Sequence, residues 1–162
     1  MKYLKLIILF LSLTVYSQSG RVVKIKDGDT IVVLDSINVQ TTIRLAEVDC
    51  PESSQPFGKN AKVFTTGQVA MKHVTYEIVT IDQYGRTVAK VFYNGKYLSE
   101  EIIKNGFGWH YKRHSTSKKL AALEQFAQEN KKGLWSGSRI IAPWEYREMK
   151  KRQFSTFNRI IK

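Results

Sequence analysis

Cysteine and histidine are scarce in this 162-residue chain, with one of the former and three of the latter. The lone thiol, Cys50, excludes an internal disulfide. It also leaves no ligand cluster for zinc: His110 and His114 stand four apart, but Tyr111-Lys112-Arg113 between them gives no HExxH pattern. No GxSxG-like elbow marks a nucleophilic serine. Long apolar runs are nearly absent as well. The one example, Leu6 to Val15, is shorter than the roughly 20 residues a membrane span needs, and no cysteine closes it to take a lipid. With Lys2 and Lys5 before it and Ser17 after it, residues 1–17 read as a secretory signal peptide, an uncleaved anchor being the alternative. A secreted or periplasmic protein is therefore expected. No internal repeat or low-complexity linker divides the remainder, which suits one domain over residues 18–138 and a basic tail over 139–162.

Acids are the other shortage. Asp and Glu number 14 against 26 Lys and Arg, a net charge of +12, to which Lys2 and Lys5 contribute only two. Such an excess favours a polyanionic partner: nucleic acid, anionic lipid or acidic polysaccharide. Against that background VKIKDGDTIVVL, residues 23–34, places two carboxylates beside a glycine. Asp27-Gly28 between apolar runs is a strong signal for a tight hairpin turn. Asp29 falls where the next strand begins, a place that disfavours Asp unless something uses it. It is either a turn or capping residue or a ligand awaiting a partner.

Strand-like runs cover Arg21 to Lys26, Asp29 to Leu34, Thr41 to Val48, His73 to Ile81 and Thr87 to Tyr93, with turn signals at Tyr84-Gly85 and Asn94-Gly95. Helical stretches run from Pro56 to about Lys72, from Ser99 to Lys104 before Asn105-Gly106, and from Ser117 to Lys132 before Gly133. In the last of these Leu120, Leu123, Phe126 and Ala127 recur at helical spacing and are expected in the core. Five strands with one helix inserted after the third and two at the end predict an α+β fold, a five-stranded OB-fold type β-barrel with three helices. From Arg139 onward neither period is evident. Seven Lys or Arg and two Glu make that tail a basic arm, trailing or wrapped on the domain.

Arg44 is mid-strand, where an unpaired buried charge would be costly, and Asp49 ends that strand before a proline-directed turn. DGDT, RLAEVDCPE, DQYGR and GFGWHY follow one another along the chain. In that order and at those separations they resemble the staphylococcal nuclease (thermonuclease) family, from Arg21 to about Trp135. The Gln55-Pro56-Phe57-Gly58-Lys59 and Gly133-Leu134-Trp135-Ser136 segments are similar too.

The resemblance implies a calcium-dependent phosphodiesterase on an OB-type barrel that cleaves DNA and RNA and leaves 3′-phosphate ends. By motif position Asp29 and Asp49 would be the calcium carboxylates, with the backbone carbonyl of Cys50 completing the protein's share. Glu52 would position or deprotonate the attacking water, Arg44 and Arg86 would bind phosphate, and Tyr84 and Tyr111 would line the nucleotide site. A monomer acting on unpaired strands is expected. These residue types suit the chemistry: calcium takes about six to eight hard oxygens, and guanidinium forks match phosphate oxygens as lysine does not. Two competing classes are a non-catalytic OB-fold nucleic-acid-binding module and a basic surface protein that binds polysaccharide; neither accounts for the acids.

Overall fold

The computed structural model describes residues 18–160, with side chains to residue 155, so the expected signal peptide lies outside the described residues. The opening hairpin pairs β1 (Gln18–Asp27) with β2 (Thr30–Leu34), Asp27 opposite Thr30, leaving Gly28 and Asp29 as its two-residue loop. Gly28 does not adopt a left-handed conformation. Glycine is required there for closeness instead, since a Cβ would sit 2.8 Å from the Cβ atoms of both Cys50 and Ala61.

β2 pairs with β3 (Gln40–Leu45), and β1 pairs on its other edge with β5 (His73–Ile81), which pairs with β6 (Thr87–Tyr93). A parallel ladder, Ile43 to Leu45 against Thr87 to Ala89, joins β3 to β6 and closes the five strands into a mixed barrel. The alternation follows the sequence: Ile43 and Leu45 of β3 and Ala89, Val91 and Tyr93 of β6 point inward. Ile31, Val22, Ile102, Ile103 and Leu120 complete the interior.

The expected strand Thr41 to Val48 is interrupted. β3 ends at Leu45, Glu47 turns with φ 66°, and Val48–Asp49 forms a separate strand, β4. The bend is fixed by Arg44, whose Nη1 donates to the carbonyls of Leu45 and Val48, both at 2.7 Å, and by Glu47, whose carboxylate accepts from the Tyr97 and Ser115 hydroxyls.

Helix α1 (Gly58–Val69) crosses the hairpin, its Thr65 hydroxyl donating to the Gly28 carbonyl at 2.6 Å. After β7 (Lys96–Tyr97), α2 (Leu98–Lys104) fills one end of the barrel. β8 (Trp109–His110) then pairs with β4, and α3 (Lys118–Glu129) starts at a Ser117 cap. On α3, Leu120 and Ala127 are buried and Leu123 partly so, but Phe126 faces outward beneath the Lys132 ammonium. Glu124 takes the inward place because it accepts the His110 amide hydrogen at 3.0 Å and pairs with Lys112 at 2.7 Å.

A fourth helix corrects the count of three. Residues from Pro143 to Ile160 form α4, an element the tail's charge pattern did not announce. It is seated by a second apolar cluster of Trp109, Leu134 and Ala142, against which Phe57, Trp135 and Trp144 pack, Trp144 lying edge-on to Trp109.

His110 is buried with both ring nitrogens unpartnered, and burial holds its pKa below the usual histidine value. The unfolded chain therefore takes up a proton near pH 6.5 that the folded chain resists. This contribution to stability is complete above that pH and is lost progressively as pH falls from it through the lower value of the folded state. Replacing His110 with Phe removes no hydrogen bond, and urea unfolding at pH 7 and pH 5 should show a smaller loss on acidification than in the wild type.

Candidate active site

Two acids, Asp29 and Asp49, and one arginine, Arg44, converge where the hairpin loop meets the β3–β4 bend. Asp29 is held at both ends of its carboxylate: Oδ2 accepts the Cys50 amide hydrogen at 2.9 Å and Oδ1 the Thr30 hydroxyl at 3.1 Å. Its own carbonyl accepts from the Leu45 amide at 2.8 Å, which ties the loop to the end of β3. Arg44 Nη2 lies 3.4 Å from Asp29 Oδ2 and 3.0 Å from Asp49 Oδ1, so one guanidinium bridges both carboxylates. Asp49 is 1% exposed. Cys50 is buried with its Sγ packed toward Gly28 and Gly108, and its contribution at the site is therefore through its backbone.

The electrostatics match that crowding. Burial, then the neighbouring Asp29 carboxylate, raises Asp27 to about 6. Burial also outweighs two arginine partners at Asp49, which stays above its ordinary value. The Cys50 thiol is pushed well up by burial and then by Asp29, which makes it inert as a nucleophile. For Arg44 the order reverses: burial alone would lower its pKa, but Asp29 and Asp49 carry it upward.

Glu52 sits one turn beyond, 40% exposed at its side chain. Its amide donates to Gln55 Oε1, its carbonyl accepts from the Gln55 amide, and Gly58 follows at the start of α1. The structure joins Glu52 to the acid pair through a residue of the basic tail. Arg147 of α4 places Nη2 2.7 Å from Asp49 Oδ2 and Nη1 2.7 Å from Glu52 Oε1. The available signal was Pro143 at a first helical position followed by Glu145, the grammar of a helix start, which puts Trp144 and Arg147 on one face.

Arg86 and Tyr84 occupy a separate turn. Asp82 Oδ1 accepts the amide hydrogens of Tyr84 and Arg86, both at 2.9 Å, and Oδ2 accepts from Arg86 Nε at 2.7 Å. Arg86 therefore pairs with Asp82 rather than with the acid cluster. It leads into β6, which lies alongside the β3 segment that carries Arg44. Tyr84 is 75% exposed with the Arg86 guanidinium 5.6 Å from its ring. Tyr111 hangs from the Glu47 carbonyl by its amide, and its ring stacks on Trp144 at 6.1 Å and 20°. One face of the expected nucleotide-lining tyrosine is thus already covered by α4.

Among the described residues no group of three or more Asp, Glu, His or Cys side chains is arranged to hold a metal ion. What the site offers a cation is the carboxylates of Asp29 and Asp49. These are hard oxygen donors of the kind calcium takes. Asp49, raised by burial and then by the neighbouring Asp29 carboxylate, is a group whose charged form an added positive charge favours.

A family model described as staphylococcal nuclease homologue matches residues 42–137. That span takes in Arg44, Asp49, Glu52, Tyr84, Arg86 and Tyr111, and leaves Asp29 and Arg147 outside it. An uncharacterized endonuclease of Haemophilus influenzae is 37% identical over 131 residues, 81% of this chain and 74% of that one. One of Escherichia coli O157:H7 is 34% identical over 152 residues, 92% of this chain and 99% of the other. The staphylococcal-like nuclease CAN1 of Arabidopsis thaliana is 38% identical over 109 residues, and there the chain spans only about a third of the relative's length. Matched over more than half its length by the family model, and by bacterial relatives along nearly all of it, the chain belongs to the staphylococcal nuclease homologue family.

Proposed function

We propose that the protein is a calcium-dependent nuclease that hydrolyses phosphodiester bonds of DNA and RNA. The observation that carries this reading is the Asp29–Arg44–Asp49 bridge with Glu52 one turn away. A purely binding surface has no use for buried carboxylates where a polyanion must approach. Asp29, Asp49 and the Cys50 carbonyl would hold the ion. When bound, calcium supplies charge neutralisation at the scissile phosphate.

The chain's own residues do the rest. Glu52, half-buried in the turn that precedes α1, orients a water and takes its proton. Arg44 meets a phosphate oxygen from inside the barrel end and Arg86 from the turn, so negative charge gathering at phosphorus finds fixed donors. Tyr84 offers an open ring for a base and Tyr111 the edge of one, which favours unpaired strands. The reading includes 3′-phosphate products and a monomer. It also includes a secreted or periplasmic location, for which residues 1–17 are the support; among the described residues no helix is long and apolar enough to cross a membrane.

The test is release of acid-soluble nucleotides from single-stranded DNA, in millimolar calcium and in chelator. Activity should require calcium and fall by about 10²-fold or more in Glu52→Gln and in Arg86→Ala. Binding in calcium with no cleavage by the wild type would instead return the non-catalytic OB-fold module.

A further inference from the structure

Asp49 is claimed by two arginines: Arg44 donates to Oδ1 at 3.0 Å, and Arg147 donates to Oδ2 at 2.7 Å and, more distantly, to Oδ1 at 3.4 Å. A cation taken up by Asp49 competes with them for the same two oxygens. Arg44 is a poor candidate to leave, being 14% exposed at its side chain and stapled to the Leu45 and Val48 carbonyls. Arg147 is 44% exposed, and its hydrogen bonds are to the carboxylates of Asp49 and Glu52.

The helix that brings Arg147 has anchors of its own. Trp144 packs on Trp109 and Tyr111, the Tyr146 hydroxyl donates to the Ser54 carbonyl at 3.0 Å, and Lys150 reaches the Ser54 hydroxyl at 2.8 Å. Release of the guanidinium therefore leaves it at the site. A free guanidinium beside a site that receives a phosphodiester has one strong partner available, a phosphate oxygen.

We propose that Arg147 is a third phosphate-binding arginine, supplied from outside the segment that the family model matches, which exchanges Asp49 and Glu52 for a phosphate oxygen when ion and nucleic acid enter. The inference rests on the nuclease reading. It makes two demands that go in opposite directions. Without nucleic acid Arg147 competes with the ion, so its removal tightens ion binding; with nucleic acid it holds the substrate, so its removal weakens that hold.

Calorimetric titration of the full chain with calcium, free of nucleic acid, should show Arg147→Ala binding at least about fivefold more tightly than wild type, with Arg147→Lys closer to wild type. At saturating calcium, kcat/KM on single-stranded DNA should fall about ten- to a hundredfold in Arg147→Ala and less in Arg147→Lys. Tighter ion binding with unchanged or raised kcat/KM would overturn the proposal, leaving Arg147 a mere latch. No change in either would reduce it to a surface ion pair. Should the wild type fail to cleave, the nuclease reading falls by itself. The exchange is then read from affinity for a fluorescent single-stranded oligonucleotide in calcium, where an Arg147→Ala loss under about threefold overturns it.

Discussion

An Arg44→Ala variant should lose about 10³-fold or more of cleavage rate, and in chelator it should also lose about 3 kcal/mol of stability. Both losses come from the same guanidinium. Its outward nitrogen spans Asp29 and Asp49, which are 10% and 2% exposed at their side chains, so its removal leaves two carboxylates facing each other with little solvent between them. Its other nitrogen closes the β3–β4 bend through the Leu45 and Val48 carbonyls. Lysine cannot span both sets, having one nitrogen to the fork's three. Calcium should then raise the melting temperature of the variant more than that of the wild type, because an ion that binds only the folded state restores the missing charge. Thermal unfolding with and without calcium, beside nucleotide release, checks both halves. Unchanged cleavage would remove Arg44 from the chemistry.

Gly58→Ala should cost about 2 kcal/mol or more of stability and about 10²-fold in kcat/KM. A Cβ on Gly58 would stand 2.0 Å from the Glu52 carbonyl oxygen and 3.1 Å from the Ser53 Cα, both backbone atoms that cannot swing aside. The turn must move, and Glu52 moves with it. Gly67, on the exposed side of the same helix, meets nothing within 4 Å. Gly67→Ala should therefore stabilise by about 0.5–1 kcal/mol without touching activity. A matched pair of melting curves and rates separates the steric effect at Gly58 from helix propensity.

Period and turn chemistry made the barrel legible: the Asp-Gly hairpin, the β-branched runs and the helix stops carried the five closing strands and the first three helices. What they missed lies where contacts between distant segments overrule local pattern. The Thr41 to Val48 run is strand-like throughout, yet Arg44 and Glu47 find partners that bend it after Leu45. Phe126 has helical spacing for the core, yet Glu124 is buried because a β8 amide needs its carboxylate. Gly28 looked like a turn former by conformation and proves to be one by clearance.

At the site, Asp29 stood out because an acid at a strand start in a basic chain wants explaining. Arg147 could not stand out in this way, since the acids it meets lie 98 and 95 residues earlier. The helix presenting it is seated by tryptophans rather than by a regular apolar stripe, and its many lysines and arginines read as solvated charge.

The parallel ladder between β3 and β6 also governs the order in which the molecule becomes competent. Antiparallel neighbours such as β1 and β2 need only a short reversal, whereas joining residues 43–45 to 87–89 closes a stretch of some forty residues, an entropic toll levied before any contact repays it. Arg86 comes alongside Arg44 only once that closure is made, and the opening of β1 must also find β5. A chain emerging in sequence thus carries Asp29, Arg44, Asp49 and Glu52 long before it can bring them to bear, and a partly folded molecule holds the parts of a nuclease without its edge.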